Sequence, residues 1–209
     1  GDFSLNVTNS LTSEWLFAQG LHRLTPSYDL NHEQLLALLR QAGGRKFEIT
    51  IHQYMPAFHM EHCVFAMTLS SGTSWRDCGK PCEKHRVQLR GPDGTLHPLK
   101  ADAECRNTMF KGEPQSAARL VPDLRSMGLT RFRFEALFES AEELKAKIIA
   151  YQEYLSERAT LEQLLKNCRS LDRYGVSEGQ LLTIRTFKDR KKTGGLEQPR
   201  AVEEILNGI

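Results

Sequence analysis

No apolar run in this 209-residue chain approaches the roughly 18 residues that a membrane span requires. Its opening, GDFSLNVTNSL, carries neither the basic nor the apolar region of a signal peptide. The expectation is a cytoplasmic protein with no membrane partner. Charge of one sign is scarce too: the formal net charge is +2, too little by itself to argue for nucleic acid. Cysteine is limited to five residues, an odd number that excludes complete internal pairing, and a reducing cytosol disfavours disulfides in any case. Thiols kept free shift weight toward a metal. With 40% hydrophobic and 26% charged residues, the remainder has the composition of a globular protein.

The first half of the chain alternates between two periodicities. FSLNVTN (3–9) has a strand's composition, and SLTSEWLFAQG (10–20) carries helix punctuation, with Ser10 as N-cap and Gly20 as terminator. LHRLTPSYDL (21–30) reads as a second strand. Asn31 then caps HEQLLALLRQAGG, whose leucines at 35, 36, 38 and 39 mark an amphipathic helix. KFEITIHQY (46–54) alternates with period two and is a third strand. Strands separated by helices at this spacing predict parallel pairing through right-handed crossovers.

Further along, VQLR and TLHPLK flank the turn GPDG, which predicts a β-hairpin with Pro98 at an edge position. QSAARLVPDLRSMG (115–128) is helical with a kink or restart at Pro122. LTRFRFEALFES (129–140) is a fourth core strand, SAEELKAKIIAYQEYLSER a long capped helix, and TLEQLLKNC a short one. GVSEGQLLTIRTF is a candidate strand and PRAVEEILNGI a final helical turn or two.

Four parallel strands make half of an eight-stranded barrel, a fold that needs roughly 250 residues. The predicted class is therefore α/β: a partial, TIM-like β/α barrel with parallel strands, a cysteine-bearing insertion containing a β-hairpin, and a C-terminal helical extension. Residues 1–160 form the barrel half, including the insertion at 58–110, and 161–209 form the extension and tail. Because the chain opens inside a strand, the missing N-terminal half of the barrel is expected from the same polypeptide or a partner subunit, with a homo-oligomer as a further expectation.

Four of the five cysteines, Cys63, Cys78, Cys82 and Cys105, fall within 43 positions, with 14, 3 and 22 residues between them. Four soft thiolates on separate loops suit a tetrahedral zinc or an iron-sulfur cluster, although neither a zinc-ribbon nor a ferredoxin spacing is present. Ordinary buried cysteines are the plain alternative, and for Cys168, late in an amphipathic helix, that reading prevails. Glu61 and His62, in FHMEHC just after the third strand, fall where α/β sheets bind ligands and are the candidate catalytic acid and base, with Glu135 beside them. One of the two histidines in that stretch, His59 or His62, is as readily a hydrogen-bonded core residue. Polar groups at other expected strand ends, Asn6, Tyr28 and Arg133, together with Arg106 and Asn107 beside the last thiol, are candidate substrate contacts. Arg106 suits an anion because its planar fork binds carboxylate or phosphate in two places. RTFKDRKKTGG (185–195) places five basic residues against one acidic residue, as a solvated tail or an RNA-contacting arm.

The segments GDFSLNVTN, RLTPSYDL, MPAFHMEHCVFA, CGKPCEKH, ADAECRNT and RFRFEALFES resemble the second half of the collagenase-like family thirty-two of the unassigned peptidases, in its longer form, from residue 1 to about residue 180. The resemblance implies a barrel-like core and a four-iron, four-sulfur cluster on Cys63, Cys78, Cys82 and Cys105, with zinc as the alternative. It further implies hydroxylation chemistry on transfer RNA uridine, a ribosomal RNA cytidine or a ubiquinone precursor ring, with RNA as the partner. The insertion between Cys63 and Cys78 is longer than in the shorter members, and no nucleophile carries over from the family. A peptidase is the alternative activity, and a metal-stabilised scaffold without catalysis is the third.

Overall fold

The structure, a computed structural model, describes residues 1–171, 177 and 179–181. Helices α1 (Ser10–Ala18) and α2 (His32–Ala42) precede strand β1 (Ile49–Met60). The short helices α3 (Val64–Leu69) and α4 (Pro81–Lys84) lead into β2 (Val87–Arg90), β3 (Leu96–Ala101) and β4 (Asn107–Ser116). Helix α5 (Val121–Ser126), strand β5 (Phe132–Phe134) and helices α6 (Ala141–Leu155) and α7 (Leu161–Leu171) complete the regular elements. None of the described helices is long and apolar enough to cross a membrane.

The strands form one open sheet in the order β2-β3-β4-β1-β5. Only β1 and β5 run parallel; the other three pairings are antiparallel. This departs from the expected all-parallel arrangement, because β1 continues past Tyr54 to Met60 and pairs with β4 along most of that length. The predicted hairpin is present as β2 and β3, but β3 is an interior strand. Pro98 lies opposite Gln88 of β2 and just ahead of the ladder to β4, which begins at Leu99.

The first two expected strands do not form. Phe3–Leu5 is a turn of 3-10 helix, started by the Asp2 carboxylate accepting from the Phe3 N–H and ended by Asn6 in the left-handed region at φ 50°. Residues 24–27 still make isolated backbone bonds to both sides. Leu24 N–H donates to Lys46 O at 3.1 Å, whereas Thr25 and Ser27 N–H donate to Gly1 O and Val7 O at 2.9 and 3.0 Å. Donors alternate sides along an extended segment, so the next one facing β1 would be residue 26. That residue is proline, which has no N–H, and the pairing stops at the single parallel bridge Leu24–Phe47.

Local chemistry explains the helices. Asn31 and Gln34 form a reciprocal capping box that starts α2, Ser140 and Glu143 do the same for α6, and Asn9, not Ser10, caps α1. Pro122 sits in the first turn of α5 after a 3-10 turn, the expected restart. The four leucines of α2 join Val7, Leu24, Phe47 and Leu124 in the largest core. A second core packs Ile51, Ala118 and Val121 against α6 and α7, including the buried Cys168. The candidate strand GVSEGQLLTIRTF contributes one described bridge, Gln115–Ser177, after which Gly179–Leu181 is a 3-10 turn and not a strand; its other residues, the basic stretch 185–195 and the last predicted turn lie outside the described residues.

Candidate functional site

The β3–β4 ladder separates two regions. Side chains along a strand alternate faces. Leu99 and Met109, a directly opposed pair, belong to a small third core with Val64, Phe65, Cys63 and Cys82. The next pair, Lys100 and Thr108, points into a cleft on the other face. Cysteines and cleft therefore sit back to back across one layer of sheet.

On the cysteine side, Asn107 is the organising residue. It is fully buried; its carboxamide oxygen accepts from the Val64 N–H at 2.8 Å and starts α3. Its amide group donates to Cys105 O at 3.2 Å and lies 3.9 Å from Cys63 Sγ. Cys82, in the first turn of α4, feels the charges of Cys63 and Cys105, and burial above all pushes its thiol pKa up. Cys78 sits on a preceding turn, where its Sγ lies 3.8 Å from Trp75 O. That turn is closed by Asp77, whose carboxylate accepts from the Thr73 and Ser74 backbone and is held down at about 2 by those bonds. Cys105 itself has φ 66°, a left-handed backbone uncommon for a side chain with a Cβ. All four thiols are free and half-buried. Among the described residues no three His, Cys, Asp or Glu side chains stand together closely enough to hold a metal. The donor set is all sulfur, which suits a soft metal or iron-sulfur centre in kind.

On the other face, a cleft of about 600 Å³ lies over β1, β4 and the segment after β5. Its walls are aromatic: Phe3, Tyr28, Tyr54, Phe58 and Phe110. His59, Thr108, Lys100 and Glu135 supply the polar groups, and His59 Nδ1 is 3.0 Å from Thr108 Oγ1 across the ladder. Tyr28 has its hydroxyl pKa raised, first by burial and then by the charges of Asp29 and Glu135. A much smaller cavity of about 40 Å³ adjoins, sharing Phe3, Tyr28 and Gln53 and adding Thr25, Ser27 and Gln115.

The expected single rim of polar groups divides between these regions. Tyr28 and Glu135 line the cleft. Glu61 and His62 are exposed beyond the end of β1 and are not among its lining residues. Arg106 is engaged by its own loop, with Asp102 at 2.9 Å and Glu104 at 2.8 Å. Arg133 bonds to Glu48 and Asp2, both at 2.7 Å, and to Glu135 at 3.3 Å. Although partial burial opposes it, those carboxylates raise its pKa further above the arginine range. Asn6 is an exposed helix cap. Asn107 is a buried structural cap with no free face toward the cleft.

Sequence reasoning missed a buried polar network beneath β1. His52 Nδ1 lies 3.1 Å from Tyr151 Oη, which is 2.7 Å from Ser116 Oγ, and the imidazole stacks on Phe134 at 4.3 Å. Burial, and then the Lys147 charge, lower the His52 pKa to about 3. Lys147, 1% exposed, pairs with Glu139 at 3.1 Å. The signal was available: Lys147 lies four residues before Tyr151 on the helix face that packs inward.

No curated protein and no solved structure matches the chain at a significant level. The family model described as Peptidase family U32 matches residues 2–182, which include the cysteine corner, the cleft and both principal cores, and the chain belongs to that family.

Proposed function

We propose that this chain carries a four-iron, four-sulfur cluster on Cys63, Cys78, Cys82 and Cys105 and serves the hydroxylation of an RNA base received in the aromatic cleft. The observation that supports it most is that all four thiols are free and half-buried, with Cys63 and Cys105 meeting at Asn107 and the charges of both felt at Cys82. A bound cluster would supply one-electron chemistry. The chain's own residues do the rest: Tyr28 and Phe110 give flat surfaces for a base to stack on. Of the titratable groups lining the cleft, Glu135 and His59 are assigned here to hold or move a proton, the role expected of Glu61 and His62. In this reading the order of segments 1–7, 24–27, β1 and β5 continues into further β/α units of a larger barrel, supplied by the same polypeptide or a partner. Zinc is the alternative occupant, and four thiolates would close it against substrate.

Purification without air tests the cluster. The expected result is brown protein with iron and sulfide in equal amounts, bleached by dithionite and lost in Cys78→Ala and Cys82→Ala. Colourless protein with one zinc per chain would support the metal-stabilised scaffold instead, and full iron retention in both variants would refute the ligand set.

One observation favours a second reading, a hydrolase in keeping with the family description. The Thr108 hydroxyl and the His59 imidazole are within hydrogen-bond reach in an open cleft, the arrangement a nucleophile and its base require. By contrast, Ser70 and Ser74 are occupied within their own turn, and the Ser116–Tyr151–His52 chain is sealed in the core. Thr108→Ala would abolish peptide hydrolysis by the purified protein under this reading and leave it unchanged if the pair is structural.

A further inference from the structure

Three polar residues stand side by side across the floor of the cleft. Thr108 of β4 is directly opposite His59 of β1 on one flank and Lys100 of β3 on the other, and all three line the cleft. Neighbouring strands are about 4.8 Å apart, so the row His59–Thr108–Lys100 spans about 10 Å. His59 Nδ1 meets Thr108 Oγ1 at 3.0 Å. The Lys100 ammonium, by contrast, has no ion-pair partner among the described residues. Arg106, Arg133 and Lys147 are each held by a carboxylate. The carboxylate that lines the cleft, Glu135, follows β5, and the sheet order puts β4 and β1 between it and Lys100. It is also engaged by Arg133 at 3.3 Å. The cleft is therefore polarised, with an unpaired cation on its β3 side and a carboxylate on its β5 side. Phe110 lies two residues along β4 from Thr108, on the same face and about 7 Å away, so one small molecule can touch both.

We infer that the His59–Thr108–Lys100 row binds an oxyanion, a carboxylate or a phosphate, carried on a flat apolar body that lies along Phe110. Each part of the row has a role that its chemistry permits. The ammonium supplies the charge and a charge-assisted donor. With the His59 Nδ1–H donating to Thr108 Oγ1, the threonine O–H is left to donate to the same anion, and donors linked in this way strengthen one another. Aromatic walls select the planar body. Glu135 sets the orientation, because like charge turns the anionic end of the ligand toward β3. The row has no guanidinium, so the anion is held at single points and its affinity is modest. The inference is separate from the proposal that the cleft receives a base, and a negative result leaves the test for the cluster untouched.

The test uses fluorine NMR at low ionic strength, titrating the protein into 4-fluorobenzoate, 4-fluorophenyl phosphate and the neutral 4-fluorobenzamide. The wild type is expected to bind at least one of the two anions about fivefold or more tightly than the amide, the ratio that one ammonium contact supplies in a partly open site. Which anion binds more tightly identifies the ligand as a carboxylic acid or a phosphate ester. Lys100→Gln is expected to remove the preference and Lys100→Arg to keep it. Lys111→Gln makes the same change of charge on β4 outside the cleft lining and is expected to leave the preference intact. Binding of neither anion above the amide by the wild type would overturn the inference, whether or not any variant folds. An equal loss of preference in Lys100→Gln and Lys111→Gln would overturn it too, since the effect would then belong to overall charge and not to the row.

Discussion

Acidification should begin to destabilise this protein through His52 before its surface carboxylates are titrated. The imidazole is fully buried between Phe134 and Tyr151, and its pKa falls from an ordinary 6.5 to about 3, chiefly by burial and then by the nearby Lys147 charge. A histidine depressed in the folded state binds its proton only when unfolded, so the stability it confers is complete above pH 6.5 and is lost as pH falls toward 3. Each pH unit in that window is worth about 1.4 kcal/mol, so going from pH 6.5 to pH 4 removes about 3 kcal/mol. That is a large share of the roughly 5–15 kcal/mol available to a domain. Glu139 also faces this site. Burial opposes its ionisation, but the Leu137 N–H and Lys147 keep its pKa low, so its contribution is lost in the same direction. His52→Leu separates the two, since it deletes the imidazole's titration and leaves the carboxylate's. Urea denaturation at several pH values between 7 and 4 is the assay. The wild type should lose stability more steeply than the variant across this range. Parallel curves would refute the argument and show that water or local opening lets the buried ring protonate in the folded state.

Two further perturbations probe packing. Lys147→Met should cost about 3–5 kcal/mol by stranding the buried Glu139 carboxylate, and adding Glu139→Gln should recover most of it; a loss under about 1 kcal/mol for the single change in chemical denaturation would show that the pair is not desolvated. Gly44→Ala should cost about 1–3 kcal/mol, because the new Cβ would lie 2.4 Å from Met127 O, backbone that cannot rotate away; an unchanged melting temperature would contradict this close approach.

Much of the fold was legible wherever a single stretch of chain carries its own instructions. The capping boxes at Asn31 and Ser140, the leucine stripe of α2, the restart at Pro122 and the β2–β3 hairpin each depend on residues a few positions apart. The first two strands failed for a reason that was also present in the sequence. Pro26 removes the donor that a ladder to β1 would need, and Asp2 and Asn6 favour a turn over extension. Site residues were less legible. Tyr28 and Glu135 line the cleft although the strand expected to end at Tyr28 does not form, whereas His59 with Thr108, and Gln53 with Gln115, become partners only through the register of β1 against β4.

Sequence by itself determined the local elements and the family to which the chain belongs, because each follows from residue identity and short-range spacing. Tertiary structure decided which side turns inward where no apolar stripe marks it. In α6 it buries Lys147, for which the buried Glu139 carboxylate is a partner, and among the described residues Ile148 and Ile149 stay partly exposed. It also decided that cleft and cysteines lie on opposite faces of one sheet. That outcome depends on which residues of β3 and β4 stand opposite each other, and a shift of one residue would have exchanged the two faces.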